Sequence, residues 1–283
     1  MIRPSAIPRP VAFTSDGLRL AGLLYLPAGA PAGALVVCHG AGSRKENHAI
    51  MGEQAAAAGL AALLFDFRGH GESEGTMDPD GWHDVVAAAE TLRDLSAAPW
   101  VAARGASMGG CMLLLAARER PDLFSSLVAL CPADGPSLLA GLDGLERRTG
   151  RAARVGAEAC GPGGGEAETP GPGASASGPH GPAAERATDY WGRFDAAALR
   201  PFLERLDLTA VARGMPRVLL AHARDDAAVP FAHSERLAAV LAAPTRFIVL
   251  ESGGHHGPGR SPEVARATLE WVTTNAPGRL RRP

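Results

Sequence analysis

The sequence predicts an α/β protein with a mainly parallel sheet and helices on both faces of that sheet. Two observations lead to this class. Short continuous apolar runs alternate with longer helical patterns, and most of the runs end in loops rich in glycine or polar residues. The 283 residues, 46% of them hydrophobic, are enough to bury one sizeable core. A single domain over 1–283 is therefore expected, interrupted by one insert.

The predicted elements follow one another in a regular order. The chain opens with a hairpin, 11–15 and 18–26, joined by the turn Asp16-Gly17. Further strands are expected at 34–38, 60–66, 100–104, 126–131, 217–222 and 245–250. Helices are expected at about 47–58, 81–96, 108–118, 231–242 and 262–274. The strand before position 105 is rich in alanine and contains Arg104, so we expect it to be less regular than its neighbours.

Residues 132–216 lie between the sixth and seventh predicted strands and are expected to form an insert. Segments 135–154 and 188–211 have helical character, which predicts a small helical cap. The tract 156–187 consists mostly of Gly, Pro, Ala, Ser and Glu, with almost no residue that could join a core. Such a composition cannot offset the entropy lost on ordering, so a disordered loop is expected there, either an inert linker or a mobile lid.

One pentapeptide carries the strongest chemical signal. Gly105-Ala106-Ser107-Met108-Gly109 lies between an apolar run and a helix, which is the strand–turn–helix setting of a nucleophilic serine. Glycine makes up 35 of the 283 residues, so the pattern alone could arise by chance. Its setting favours acyl transfer through Ser107, with the helix N-terminus offering backbone amides to a developing anion.

An acid and a histidine follow in the order Ser, Asp, His. Asp225 and Asp226 directly follow the seventh predicted strand. His255 and His256 lie in a glycine-rich loop after the eighth. Either carboxylate could be a plain turn residue, and either histidine could be a solvated loop residue. Their positions after strands and downstream of Ser107 favour a catalytic triad, in an order unlike those of trypsin-like and subtilisin-like enzymes.

Two upstream loops also contain polar residues. The loop His39-Gly40-Ala41-Gly42-Ser43 follows the third strand, and its glycines would let backbone amides approach a substrate oxygen closely. The other oxyanion donor would be the N–H of Met108. The loop after the fourth strand contains Asp66 and His70, which could indicate a metal or phosphate site. Their spacing matches no common metal signature, so a structural role at the sheet edge is expected.

These segments together resemble the motifs of the α/β-hydrolase superfamily. The resemblance is carried by residues 39–42, 66–73, 105–110, 226–230 and 253–255, and it extends over about 10–274 except for the insert. It is closest to the esterase, dienelactone-hydrolase-like and serine-aminopeptidase-like branch. The resemblance implies the α/β-hydrolase fold with a small helical cap, and it implies no cofactor and no metal.

The resemblance also implies the roles of individual residues. In this family the acid is followed by two residues and then Val-Pro, which selects Asp226. The catalytic histidine follows Gly-Gly here, which selects His255. The implied catalytic residues are therefore Ser107, Asp226 and His255. The implied oxyanion hole consists of the N–H groups of Ala41 and Met108.

The expected activity is hydrolysis of a small carboxylic ester through an acyl-enzyme intermediate. Peptidase, thioesterase and acyltransferase chemistry stay open as alternatives on the same triad, as does a non-catalytic binding protein on this fold. Candidate pocket walls, which could instead only pack the cap onto the sheet, are Leu138, Leu139, Leu142, Tyr190, Trp191 and Phe194. The apolar surface of the cap is modest, so short to medium acyl chains are expected.

Charge and cysteine content limit the partners and the compartment. A formal net charge of -2 gives no reason to expect nucleic acid or an anionic membrane as partner. Neither a signal peptide nor a bilayer-spanning stretch is evident. Buried free thiols are expected at Cys38, Cys111, Cys131 and Cys160, which suits a reducing cytosol. A small-molecule ester is thus the expected partner and the cytoplasm the expected location, while the oligomeric state is not predicted.

Overall fold

The computed structural model describes residues 7–149 and 192–277. Within them, eight strands form one sheet in the order β1-β2-β4-β3-β5-β6-β7-β8. The strands are β1 (Arg9–Ser15), β2 (Leu18–Tyr25), β3 (Gly33–Cys38), β4 (Leu60–Phe65), β5 (Val101–Ala106), β6 (Leu127–Leu130), β7 (Val218–Ala223) and β8 (Thr245–Leu250). The hairpin β1–β2 is antiparallel, and β2 is antiparallel to β4. All other neighbours are parallel, so the predicted fold class is confirmed.

Helices cover both faces of this sheet. They are α1 (Ala49–Ala57), α2 (Gly81–Ser96), α3 (Met108–Glu119), α4 (Gly135–Thr149), α5 (Ala196–Arg205), α6 (Leu208–Ala212), α7 (Phe231–Val240), α8 (Gly257–Arg260) and α9 (Pro262–Thr274), with a 3₁₀ turn at Lys45–His48. One apolar cluster joins the sheet to α2 and α3, and a second joins it to α1 and α9. Because β3, β4 and β7 are covered on both faces, every residue in them is buried.

The strand before the nucleophile is more regular than its sequence predicts. β5 pairs with β3 from Val101 opposite Ala34 to Gly105 opposite Cys38, and it also pairs with β6 on its other side. Arg104 lies buried within this ladder. The expectation of a less regular strand was therefore wrong, because backbone pairing on both sides holds a central strand whatever its intrinsic preference.

Within the insert, the described helices build a small apolar cluster of their own. Its buried members are Leu142 on α4 and Ala196, Leu199 and Leu203 on α5. Arg200 on α5 adds ion pairs to Asp143 and Glu146 on α4, at 2.7 and 2.5 Å. The tract 156–187 and its predicted disorder lie outside the described residues. The predicted division into one domain with a cap stays a prediction.

Three of the predicted free thiols are buried and unpaired with one another, as expected. They are Cys38, Cys111 and Cys131, whereas Cys160 lies outside the described residues. Among residues 7–149 and 192–277, no helix combines the length and the apolar character that a membrane crossing requires.

Candidate active site

Ser107 lies at the sharp turn between β5 and α3. Its backbone has φ 53° and ψ −120°, a strained conformation for a residue with a side chain. The flanking glycines are required by close approach. A Cβ at Gly105 would lie 2.3 Å from the carbonyl oxygen of Gly109, and one at Gly109 would lie 2.4 Å from that of His39. The Gly-x-Ser-x-Gly pattern is therefore a geometric requirement of this turn and not an accident of a glycine-rich chain.

Ala41 and Met108, the two residues predicted to form the oxyanion hole, line the same cavity as this serine. The loop after β3 passes so close that a Cβ at Gly40 would lie 3.2 Å from the Cβ of Ser107. The next residue, Ala41, lines the same cavity as Ser107 and Met108. Met108 is the first residue of α3, so its N–H has no acceptor within the helix and lies at the positive end of the helix dipole. The structure thus brings Ala41 and Met108 to the cavity that Ser107 lines, and their role as oxyanion donors stays a prediction.

The loop after β3 is held by a buried histidine in a single tautomer. His39 accepts a hydrogen bond at Nε2 from the N–H of Phe67, at 3.1 Å, so its proton is on Nδ1 and is donated to the carbonyl oxygen of Gly40, at 2.8 Å. Burial lowers the pKa of His39 to about 3, which keeps the ring neutral. This bridge fixes the position of Gly40 beside the nucleophile.

Asp66 binds Lys45, which lies in the segment that follows β3, through an ion pair. The carboxylate is fully buried and accepts from the ammonium group and the backbone N–H of Lys45, at 2.7 and 2.8 Å. It also accepts from the N–H of Glu72, at 3.0 Å. His70 is buried as well, and burial lowers its pKa to about 3. These contacts agree with the structural role expected for the loop after β4, since Asp66 binds an ammonium group.

The two neighbouring aspartates contact different parts of the histidine loop. Oδ2 of Asp226 accepts a hydrogen bond from Nδ1 of His255, at 2.8 Å. The carboxylate of Asp225 instead accepts from the backbone N–H groups of Gly253 and Gly254, at 3.1 and 2.8 Å. Asp226 can therefore orient the imidazole, whereas Asp225 holds the loop that carries it.

The pair of Asp226 and His255 is electrostatically coupled. Burial raises the pKa of Asp226, but hydrogen bonds from His222, His255 and the Val229 N–H outweigh burial and lower the pKa well below its usual range. Burial lowers the pKa of His255, but the interactions with Asp226, together with those of Cys131, outweigh burial and raise the pKa above the usual histidine value. The aspartate is therefore ionised at neutral pH and favours a proton on the imidazole.

Sequence reasoning missed a second histidine on Asp226. His222, fully buried on β7, lies 3.0 Å from Oδ2 of Asp226 and 3.1 Å from the carbonyl oxygen of Val229 through Nε2. Because both of these partners are acceptors, Nε2 carries the proton, and Nδ1 accepts from the hydroxyl of Ser234 at 2.7 Å. The available signal was a histidine on an otherwise apolar strand, four residues before the acid.

Ser107 and His255 line one cavity of about 330 Å³. The cap contributes six apolar side chains to its wall, from Leu138, Leu142, Leu145, Phe194, Leu199 and Leu203. Apart from His255 and His256, no ionisable side chain lines the cavity in the described part of the chain. Of the predicted walls, Leu138, Leu142 and Phe194 are present, Leu139 packs against the cap cluster, and Tyr190 and Trp191 lie outside the described residues.

Comparisons with known proteins agree with this architecture. A family model described as the alpha/beta hydrolase fold matches residues 33–148. Human monoglyceride lipase is 31% identical over 138 residues, which is 46% of this chain and 45% of that enzyme. An uncharacterized protein of Mycobacterium tuberculosis is 28% identical over 251 residues, which is 87% of this chain and 71% of that protein. The monoacylglycerol lipase structure of Paleococcus ferrophilus has a TM-score of 0.63 at 22% identity and covers 91% of this chain and 99% of its own.

The sheet order, the serine elbow and these matches together define the class of protein. The chain has the α/β-hydrolase fold, and its residues 33–148 match the family model described by that fold. Its match to the human relative spans less than half the length of that enzyme.

Proposed function

We propose that this protein is a serine hydrolase that cleaves neutral carboxylic esters with an apolar acyl group. One observation carries the proposal: Ser107, at a strained elbow, and His255, bound to Asp226, line the same apolar cavity. A nucleophile, a base and an orienting carboxylate around one cavity are the requirements of acyl transfer. A binding protein on this fold would have no need of all three.

The proposed reaction has two steps on the same groups. Oγ of Ser107 attacks the ester carbonyl carbon while His255 takes its proton and Asp226 stabilises the resulting imidazolium. The carbonyl oxygen becomes an oxyanion that accepts from the N–H groups of Ala41 and Met108. The C–O bond then breaks, the alcohol leaves with the proton from His255, and an acyl-serine remains. Water, activated by His255, attacks this ester in the same way and releases the acid.

The lining of the cavity supports an apolar acyl group. Six cap side chains and the methionines Met77, Met108 and Met112 offer hydrocarbon and thioether surface, and no carboxylate, ammonium or guanidinium faces the cavity in the described part of the chain. Its volume, about 330 Å³, is near the lower end of the roughly 300–1,000 Å³ of small-molecule sites. Monoesters with a medium-length acyl chain fit this description. The monoglyceride lipases among the relatives make a monoacylglycerol a natural candidate.

The nucleophile can be tested against a serine in the same cavity. Ser107→Ala is expected to lower hydrolysis of p-nitrophenyl octanoate by at least about 10³-fold and to abolish labelling by a fluorophosphonate, with far-UV circular dichroism unchanged. Ser137→Ala is the matched control, because Ser137 also lines the cavity and its hydroxyl only donates to Asp134. Labelling outside the Ser107 peptide, or full activity of Ser107→Ala, would contradict the proposal.

A further inference from the structure

We infer that the structure contains an inhibitory site for a soft divalent cation such as Zn²⁺, formed by Cys131, Asp226 and His255. The sulfur of Cys131, a carboxylate oxygen of Asp226 and a ring nitrogen of His255 all lie within 4.8 Å of one another. The proposed hydrolase reaction involves Asp226 and His255 but assigns no role to the thiol of Cys131. A thiol, an imidazole and a carboxylate are the donor types that Zn²⁺ prefers.

The backbone holds the thiol beside the histidine loop. Cys131 directly follows β6, and its N–H donates to the carbonyl oxygen of Ala221 on β7, at 2.8 Å. Its φ of 36° is in the left-handed region, which is uncommon for a residue with a side chain. The thiol donates to the carbonyl oxygen of His255, at 3.3 Å. The backbone bond to β7 and the thiol contact with the histidine loop thus fix the position of Cys131.

A bound metal would require the donor atoms to move by up to about 1 Å relative to one another. Zn–S bonds of about 2.3 Å and Zn–N or Zn–O bonds of about 2.0 Å at tetrahedral angles place ligand atoms about 3.3–3.5 Å apart. Nδ1 of His255 and Oδ2 of Asp226, now 2.8 Å apart, would separate slightly, and the sulfur would approach. Gly253 and Gly254 precede the histidine, both with positive φ, and allow such an adjustment. A water molecule would complete four-coordination.

A buried guanidinium lies near the thiol. Arg104 is 3% exposed, and within the described residues its Nε has no hydrogen-bond partner. Burial lowers the pKa of this guanidinium to about 10, while the nearby sulfurs of Cys131 and Cys38 act in the opposite direction. The thiol would lose its proton to solvent on binding, and the thiolate and Asp226 would together balance the two charges of the cation.

Occupation of this site would disable the base. The cation would take the Oδ2 lone pair of Asp226 that now accepts from His255, and Nδ1 of His255 would give up its proton as the ring changes to the tautomer protonated at Nε2. An imidazole that is protonated at Nε2 could no longer accept the proton of Ser107. The inhibition rests on the proposed function, whereas the binding does not.

The test compares two thiol variants in the full-length chain. Both are made in a Cys160→Ala background, which removes the thiol outside the described residues. Cys131→Ser removes the sulfur but keeps a donor for the His255 carbonyl oxygen. Cys111→Ala is the control, because burial raises the pKa of the Cys111 thiol to about 12 and keeps it protonated. The readouts are the ultraviolet thiolate charge-transfer band of added Cd²⁺ and the Zn²⁺ concentration that halves hydrolysis of a p-nitrophenyl ester.

The background protein and Cys111→Ala are expected to show the Cd²⁺ band and EDTA-reversible inhibition by Zn²⁺. Cys131→Ser is expected to lose the band and to require about tenfold more Zn²⁺, or more. An unchanged band in Cys131→Ser would overturn the site. A lost band with unchanged Zn²⁺ sensitivity would overturn the inhibition. Absence of hydrolysis without any metal would refute the proposed function, and the Cd²⁺ band would still decide the binding site.

Discussion

Asp225 and Asp226 have the same side chain and adjacent positions, yet only Asp226 contacts His255. We expect Asp226→Asn to lower kcat for ester hydrolysis by about 10³- to 10⁴-fold, because the amide cannot stabilise the imidazolium and favours the wrong tautomer. Asp225→Asn is expected to lower kcat by less than about tenfold, since its amide oxygen can still accept from Gly253 or Gly254. A larger loss in Asp225→Asn would show that the wrong aspartate has been assigned.

The raised pKa of His255 predicts the pH dependence of activity. Only the neutral imidazole can accept the proton of Ser107, so kcat/KM is expected to be low in acid and to rise as His255 loses its proton. Because Asp226 raises this pKa, the midpoint of the rise is expected above the ordinary histidine value of about 6.5. Initial rates between pH 5 and 10 would measure it.

His256 provides the control for this pH profile. His256 lines the same cavity. Its ring packs against the ring of His255, at a centroid distance of 5.7 Å, and makes no hydrogen bond to Asp226 among the contacts described above. His256→Ala is therefore expected to leave the midpoint nearly unchanged. A midpoint below about 6.5 in the wild type, or its disappearance in His256→Ala, would argue against His255 as the base.

At the scale of elements, a buried ion pair joins the loops that leave the carboxyl ends of β3 and β4. Lys45 is the only lysine in the sequence, and its ammonium group binds the fully buried Asp66. Lys45→Met is expected to lower the free energy of unfolding by about 3–5 kcal/mol, because it leaves a buried carboxylate without its partner. Urea denaturation would measure the change.

A substitution at Glu72 separates the effect of the exposed ion pair of Lys45 on stability from that of its buried ion pair with Asp66. It also binds Lys45, at 2.5 Å, but its side chain is 73% exposed. Glu72→Gln is therefore expected to lower the free energy of unfolding by less than about 1 kcal/mol. Equal effects of Lys45→Met and Glu72→Gln would mean that burial of Asp66 does not govern this contact.

At the scale of the whole molecule, the cavity is lined both by helices of the insert and by loops that follow the strands of the sheet. Leu142→Trp would fill part of it, so the acyl length that gives the highest kcat/KM in a p-nitrophenyl ester series is expected to become shorter. Each methylene that no longer finds an apolar wall should forfeit up to about 0.8 kcal/mol of transition-state binding. Leu139→Trp, at a cap residue outside the cavity lining, is expected to leave the optimum unchanged.

A dependence of kcat/KM on acyl chain length without a maximum at short or medium chains would contradict the predicted substrate length. If kcat/KM of the wild type rises up to the longest acyl chains, with activation at a lipid interface, the acyl group must extend beyond the cavity formed by the described residues. Short to medium chains would then not be the preferred substrates.

Much of the architecture could be predicted from the sequence because it depends on local patterns. Apolar runs and helical periodicity located the strands and most helices to within a few residues, and glycines flanking Ser107 indicated the elbow. These features reflect contacts within a few positions along the chain. The regularity of β5 was misjudged because it depends on pairing with β3 and β6 rather than on its own alanines.

The fold class, the elbow at Ser107 and the short segments that hold the candidate acid and base follow from local patterns in the chain. The contact of Asp226 with His255, the second contact of Asp226 with His222, and the position of Cys131 against a loop 124 positions away depend on the folded arrangement. The physical reason is that parallel strands bring distant carboxyl ends to one edge of the sheet, where distances depend on strand order and register. The periodicity of apolar residues along the chain does not determine those distances.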